Sequence, residues 1–320
     1  AGVAGTMEQG ARQLFASLQR FGALPEWLQL WPGHGAGSAC GKALGAVPST
    51  TLGYEKRFNW AFSHDSEKAF VDAVLAGQPE PPKYFAEMKR INRDGPRVLG
   101  GFTRPPQLDR SRLRELAGRE VVVDTRPWQV YRAGFVQGTV NVPLNRSFTT
   151  WAGWLVPYDR DFSLVVSEEE RLDEAVRDLA MIGLDRVAGW FAADAVAAAA
   201  AGASGAALQT LDEMDSGELR QRLDAGDVAV LDVRGRSEWE AGHLPGVKNI
   251  PLGYLADRID EVPRDRPLVL HCQGGGRSAI AASLLAAHGF TDVTNLAGGY
   301  SAWSSEGNPV EREAGEPAHA

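Results

Sequence analysis

The 320-residue sequence predicts an α/β protein in which two tandem domains, each a parallel sheet flanked by helices, follow a different N-terminal segment. Short apolar runs followed by helical patterns predict buried parallel strands with crossover helices. This pattern occurs twice, at a spacing of about 104 to 108 residues, which indicates a duplicated domain. The predicted divisions are 1–105, 106–200 and 207–312.

The composition is that of a protein with real hydrophobic cores, since 44% of the residues are hydrophobic and 23% are charged. The net charge of −8 and the lack of a basic stripe disfavour nucleic-acid binding. No apolar run is long enough for a membrane helix, and residues 1–10 lack the pattern of a signal peptide. Cys40 and Cys272 lie in different segments, so we expect no structural disulfide and a cytoplasmic setting. The sequence leaves open whether the protein forms a homo-oligomer.

Residues 271–278, His-Cys-Gln-Gly-Gly-Gly-Arg-Ser, carry the clearest functional signal. They follow a predicted buried strand at 267–270 and precede a predicted helix at 278–289 that a glycine closes. The glycines let backbone N–H groups point inward, and the helix adds the positive end of its dipole. Such a cradle stabilises an anion, here the thiolate of Cys272. The predicted substrate-binding residues are Gln273, Gly274, Gly275, Gly276, Arg277 and Ser278.

The length of this loop separates two kinds of cysteine chemistry. Four residues lie between Cys272 and Arg277, whereas cysteine-dependent phosphatases, which have a similar loop, place five there. Residues 228–234 end in Asp-x-Arg, residues 238–251 contain Gly-His-Leu-Pro-Gly, and residues 295–303 contain Leu-Ala-Gly-Gly-Tyr. In this order the three segments and the loop resemble the rhodaneses. The resemblance implies a sulfurtransferase whose cysteine takes up a sulfane sulfur as a persulfide.

The resemblance also implies roles for individual residues. Cys272 is the predicted nucleophile. Arg277 is predicted to orient an anionic substrate, and Ser278 to cap the following helix and bond to the sulfur. Thiosulfate or a glutathione-type persulfide is the predicted donor, a thiol or cyanide the acceptor, and no cofactor is needed. A cysteine phosphatase or arsenate reductase and a non-catalytic sulfur-relay or interaction module are the alternatives.

Four further residues of the C-terminal third are predicted to have structural roles. Buried charges are expected to be paired, which applies to Asp232, Arg234 and Glu238. His243 is predicted to be a turn residue with a satisfied ring rather than a general base.

The first copy lacks the residues needed for this chemistry. Asp124 and Asp232 each begin an Asp-x-Arg and each lie 17 residues before an Asn-x-Pro. Where the second copy has Cys272, the first has Glu168 within Ser-Glu-Glu-Glu-Arg. Three carboxylates would repel a bound anion. We therefore interpret residues 106–200 as a degenerate rhodanese-like domain with a scaffold or interface role, linked to the active domain through Ala195–Ala207.

The N-terminal segment has a different character. Its patterns predict helices at 9–21 and 66–76 and a short strand at 28–31. The run Trp-Pro-Gly-His-Gly-Ala-Gly-Ser-Ala-Cys-Gly at 31–41 resembles the metallo-β-lactamase fold of persulfide dioxygenases fused to rhodaneses. This resemblance implies sulfide detoxification with Fe(II) in an intact parent protein.

The metal-binding motif of that fold, His-x-His-x-Asp-His, is absent from this sequence. We therefore expect a fragment that binds no catalytic metal and has no dioxygenase activity. His34 is a candidate remnant of the metal pocket, and Cys40 a packing residue.

Overall fold

The computed structural model describes residues 6–32, 48–76, 82–201 and 207–312. The chain divides into two units, residues 1–81 and 82–320. The α/β class with parallel sheets is confirmed in the second unit. The predicted division at 105, 200 and 207 stays a prediction.

The described part of the first unit is a small helical cluster around Phe70. Its elements are α1 (Thr6–Gly22), β1 (Gln29–Leu30), β2 (Thr50–Thr51), α2 (Leu52–Phe58) and α3 (Glu67–Leu75). Phe70 is fully buried and packs against Phe15 and Trp60, with ring centroids 5.4 and 6.0 Å apart. The predicted helices and strand of this segment are confirmed. His34 and Cys40 lie outside the described residues.

The first sheet of the second unit has four parallel strands in the order β4-β3-β5-β6. Its elements, after α4 (Tyr84–Asp94), are α5 (Leu113–Ala117), β3 (Val121–Asp124), α6 (Trp128–Ala133), β4 (Thr139–Asn141), α7 (Phe148–Leu155), β5 (Phe162–Val166), α8 (Leu172–Met181), β6 (Val187–Ala192) and α9 (Asp194–Ala201). All five residues of β5 are buried, as expected of a central parallel strand with both faces covered.

The second sheet has five parallel strands in the order β7-β11-β10-β8-β9. Its elements are β7 (Asp212–Met214), α10 (Ser216–Ala225), β8 (Ala229–Asp232), α11 (Arg236–Ala241), β9 (Lys248–Asn249), β10 (Leu268–His271), α12 (Gly276–Ala287), β11 (Val293–Leu296) and α13 (Gly299–Ser305). Apart from the added edge strand β7, β9-β8-β10-β11 repeats the order of β4-β3-β5-β6.

The same ion pair is buried at the end of one strand in each sheet. Arg234 donates to both carboxylate oxygens of Asp232 and to the carbonyl of Gly242. In the first sheet, Arg126 donates in the same way to Asp124 and to the Gly134 carbonyl. An asparagine amide then bonds the carbonyls of both paired residues in each copy, Asn249 in the second and Asn141 in the first. The paired charges predicted at 232 and 234 are confirmed.

The predicted linker at 195–207 is wrong over its first half. Residues 195–201 belong to helix α9, and Ala195, Val196 and Ala199 pack in the core beneath the first sheet. Alanine has the highest helix propensity, so a run of alanines next to a sheet continues the fold as a helix. Residues 202–206 lie outside the described part of the chain.

Helix α12 joins the two sheets. Nine consecutive residues, 278–286, are buried, because one side of the helix packs on its own sheet and the other on the edge strand β4 of the first sheet. The buried Ser283 hydroxyl accepts a hydrogen bond from the backbone N–H of Asn141 at 2.9 Å. A helix that is apolar on all sides is expected to be buried in this way.

None of the helices in the described part of the chain is both long and apolar enough to cross a membrane.

Candidate active site

Cys272 lies directly after β10, where its strand ends and a glycine loop leads into α12. Its side chain is 2% exposed. The sulfur accepts a hydrogen bond from the backbone N–H of Gly275 at 3.2 Å. Gly275 has a φ of +94°, which bends the chain so that this N–H points at the sulfur. Of the predicted cradle, the structure thus shows one backbone N–H directed at the thiol of Cys272.

Ser278 also contacts the sulfur, but it does not cap the helix. Helix α12 begins at Gly276, two residues earlier than predicted, and the capping position is Gly275. The hydroxyl of Ser278 lies 3.5 Å from Sγ of Cys272 and 3.1 Å from the Gly275 carbonyl. The expected contact with sulfur is thus present, whereas the predicted cap is wrong, because the glycine turn starts the helix before Ser278.

Helix α13 holds the loop from outside. The backbone N–H of Tyr300 donates to the carbonyl of Cys272 at 2.7 Å, and that of Ser301 donates to the carbonyl of Gln273 at 3.0 Å. The Gln273 side chain bonds to Ser301 and lies 3.4 Å from Arg234. The side chain of Gln273 is therefore engaged with α13 and the buried ion pair.

Only glycine fits at residue 299. Its φ is +56°, and a Cβ there would lie 2.3 Å from the carbonyl oxygen of Cys272. We expect Gly299→Ala to lower the free energy of unfolding by more than the roughly 1–2 kcal/mol of left-handed strain alone, and to displace the loop. The matched control is Gly226→Ala, since Gly226 has a φ of +74° but a Cβ there would meet no described atom within 4 Å. Urea denaturation of both variants measures the difference. Equal losses of unfolding free energy in the two variants would contradict the close approach of residue 299 to the Cys272 carbonyl.

Arg277 is held by a residue from α11. Its two terminal nitrogens donate to the two carboxylate oxygens of Glu238 at 2.6 and 2.7 Å. Burial alone would raise the pKa of Glu238, but the hydrogen bonds and charge of Arg277 outweigh it and leave that pKa below its ordinary value. The same contact raises the pKa of Arg277. Glu238 is thus paired, as predicted, but its partner is the arginine of the cysteine loop, which the sequence did not indicate.

Two histidines lie near the loop, at 243 and 271. The ring of His243 stacks on Trp239 at 3.8 Å, and its Nδ1 lies 2.8 Å from the Trp239 carbonyl. This agrees with the predicted structural role. His271 is fully buried, with Nε2 3.6 Å from Asp232. Because side chains alternate along a strand, His271 points away from the side of the sheet that Cys272 faces.

Burial lowers the pKa of His271 below its ordinary value, with the nearby Asp232 charge opposing the effect. The unfolded chain therefore takes up a proton more readily than the folded one as the pH falls below about 6.5. The stability contributed by neutral His271 is complete above that pH and is lost as the pH falls toward the lower folded pKa. We expect the free energy of unfolding to drop between about pH 7.5 and 5.5, and to drop less in His271→Leu. Parallel pH profiles of the two proteins would contradict this.

A cavity of about 1300 Å³ opens above Cys272. Its floor includes Cys272, Gly274, Gly276, Arg277 and Ile280 from the loop and α12. The remaining wall comes from the first sheet and its loops, and includes Arg126, Trp128, Trp151, Glu168, Arg171 and Asp194. Most of the lining therefore comes from residues 106–200, the cysteine-free half of the second unit. The sequence did not predict this.

Comparison with known proteins agrees with this geometry. Residues 215–306 match the rhodanese-like domain family. Over 101 residues the chain is 38% identical to a sulfurtransferase from Allochromatium vinosum, covering 31% of this chain and 94% of that protein. The chain belongs to the rhodanese-like family. Its rhodanese domain is also 35% identical to the thiosulfate sulfurtransferase GlpE of Shewanella oneidensis over 96 residues, 30% of this chain and 95% of the relative. These matches support a general sulfurtransferase activity.

One solved structure extends beyond the rhodanese domain. A metallo-beta-lactamase from Staphylococcus aureus subsp. aureus COL aligns with 60% of this chain at 38% identity and a TM-score of 0.49. This chain covers 53% of that protein, about half of its length.

The described residues of the first unit do not fit the Fe(II) site that the metallo-β-lactamase resemblance implies. His64 packs against the rings of Trp60 and Phe70, at 5.8 and 5.9 Å. Within the described ranges, no three His, Cys, Asp or Glu side chains are grouped so that they could hold a metal ion.

Proposed function

We propose that the chain transfers sulfane sulfur from thiosulfate or a low-molecular-weight persulfide to a thiol or another nucleophile such as cyanide, through a persulfide on Cys272. One observation carries the proposal: the thiol of Cys272 lies on the floor of a cavity while its sulfur accepts the backbone N–H of Gly275. A fixed N–H beside the sulfur stabilises negative charge before attack and on the terminal sulfur afterwards.

The transfer proceeds in two steps. The Cys272 thiolate attacks the outer sulfur of the donor, a new S–S bond forms, and the old S–S bond breaks with its electron pair on the leaving group. Thiosulfate thus releases sulfite, and an organic persulfide releases its thiolate. In the second step an acceptor thiolate or cyanide attacks the terminal sulfur and restores the Cys272 thiolate. Such two-step covalent catalysis gives ping-pong kinetics.

The test is steady-state transfer from thiosulfate to cyanide, with sulfite and thiocyanate both measured. Parallel double-reciprocal plots and equal yields of the two products are expected. Activity on p-nitrophenyl phosphate that exceeds sulfur transfer would instead favour the phosphatase alternative. A folded protein without either activity would favour a non-catalytic module.

Arg277→Ala is expected to lower kcat/KM for thiosulfate about ten- to a hundredfold, because a charge-assisted hydrogen bond to an anion is worth roughly 1.5–3 kcal/mol. The guanidinium lines the cavity, and Glu238 fixes its orientation. The control is Arg236→Ala, which removes an arginine that pairs with Glu240 outside the cavity lining. Unchanged thiosulfate kinetics in a folded Arg277→Ala protein would give this arginine a purely structural role.

We further propose that residues 106–200 are a degenerate rhodanese-like copy, as the repeated strand order and the repeated Asp-Arg-Asn contacts suggest. The N-terminal segment is proposed to derive from a metallo-β-lactamase-fold partner with a role in sulfide detoxification, on the pattern of residues 31–41 alone. A cytoplasmic location, and partners limited to small sulfur donors and acceptors, complete the proposal.

A further inference from the structure

The charged residues that line the cavity differ in whether a partner neutralises them. Among the described lining residues, the three arginines are all engaged: Arg126 with Asp124, Arg171 with Glu174 and Arg277 with Glu238. The distances from nitrogen to oxygen are 2.7, 2.9 and 2.6 Å. Each of these cations is therefore already balanced by a carboxylate.

The two lining carboxylates are not equivalent. Asp194 lies 3.5 Å from Arg110, an ion pair at the surface. Glu168 is exposed and makes no ion pair with another residue in the described part of the chain. The predicted match of Glu168 with Cys272 is wrong: Asp124 pairs with Val165 as Asp232 pairs with His271, so Val166 takes the place of Cys272 and Glu168 lies two residues further into the loop. The pKa of Arg171 is raised chiefly by its hydrogen bonds to Glu174, and the charge of Glu168 adds only a smaller effect.

Within the described lining, the five charged residues and their four partners carry four positive and five negative charges. Apart from the Cys272 thiolate of the proposed reaction, the uncompensated charge is the carboxylate of Glu168. A concave, low-dielectric wall strengthens the field of such a charge. The cavity is also far larger than thiosulfate needs, since pockets for whole organic ligands measure about 300–1000 Å³.

Resting on the proposed sulfur transfer, we infer that Glu168 is a specificity-determining residue which selects organic persulfides bearing an ammonium group over those bearing a further anionic group. The sulfur end of the donor reaches Cys272, and its body lies along the wall from the cysteine-free half. An ammonium group on that body is attracted by Glu168, whereas a carboxylate or phosphate is repelled. A carboxylate in the loop after β5 of the first copy thereby acquires a role in choosing the donor.

Three matched donors test this: the persulfides of cysteamine, 2-mercaptoethanol and 3-mercaptopropionate, which share a two-carbon spacer and differ in the charge of the end group. The measured quantity is the second-order rate of sulfur loading on Cys272, followed by intact mass. For the wild type we expect cysteamine persulfide to load faster than 3-mercaptopropionate persulfide. Glu168→Gln should reduce that ratio about three- to tenfold, and Glu168→Lys should reverse the preference.

The matched control is Glu170→Gln, which removes an exposed carboxylate two residues away that does not line the cavity. It should keep the wild-type ratio, and added salt should weaken the ratio in both proteins. If both glutamine variants keep the wild-type ratio, or both reduce it equally, the role of Glu168 is wrong while sulfur transfer stands. If the wild type loads sulfur neither from these donors nor from thiosulfate, the proposed function itself fails.

Discussion

Replacing Cys272 by serine is expected to abolish sulfur transfer and to leave the protein folded. The thiolate is both the nucleophile and the carrier of the transferred sulfur, and a serine hydroxyl cannot replace it in either role. The side chain is small and buried, and serine keeps nearly the same volume. After treatment with thiosulfate or glutathione persulfide, intact-mass analysis should show one added sulfur on the wild type and none on Cys272→Ser.

The matched control is Cys40→Ser, which removes the other cysteine of the chain. It should still gain one sulfur and still produce thiocyanate from cyanide. Sulfur that remains on Cys272→Ser, or is lost in Cys40→Ser, would place the chemistry elsewhere. A thiocyanate assay on both variants checks that loading and turnover depend on the same residue.

Asp232→Ala is expected to produce the largest loss of stability. Asp232 and Arg234 are fully buried, and Asp232 accepts hydrogen bonds from both the backbone and the guanidinium of Arg234. Removing the carboxylate leaves a buried cation without its counterion, which destabilises proteins by about 3–5 kcal/mol. Since Arg234 lies against Gln273 and the ring of Tyr300, the cysteine loop should loosen too. Urea denaturation and the rate of sulfur loading measure the two effects.

Two controls separate the buried charge from the loss of any ion pair. Glu240→Ala breaks an exposed pair with Arg236 and should change the free energy of unfolding by less than about 1 kcal/mol. The double variant Asp232→Ala/Arg234→Met should recover part of the loss, because it removes the unpaired cation as well. If Asp232→Ala lowered the free energy of unfolding as little as Glu240→Ala does, the buried pair would not stabilise the fold.

Local sequence patterns predicted the setting of Cys272 well. The apolar run before it became β10, and the glycines produced the turn that directs the Gly275 N–H to the sulfur. The pairing within each Asp-x-Arg was also predictable. The aspartate and the arginine are two residues apart, so they can form hydrogen bonds with each other whatever the position of the strand in its sheet. The segment 195–201 was wrongly predicted as part of a linker, although the helix propensity of its alanines favours the helix that it forms.

Other features depend on residues far apart in sequence. Glu238 and Arg277 are 39 residues apart, and nothing in either segment specifies the other as its partner. The bonds from α13 to the loop need β11 to lie beside β10, which sheet order decides. Ser278 has the residue type of a helix cap, yet it lies within the first turn because the left-handed Gly275 starts the helix earlier.

The sequence by itself determined the nucleophile, the loop that surrounds it and the family to which the rhodanese domain belongs, because each depends on residues that are neighbours along the chain. Only the tertiary structure decided what faces that nucleophile. Burial of α12 between its own sheet and β4 brings the loops of the cysteine-free half over Cys272. The cavity, and the place of Glu168 in its wall, follow from that packing, since they depend on apolar surfaces that meet only when both sheets have formed.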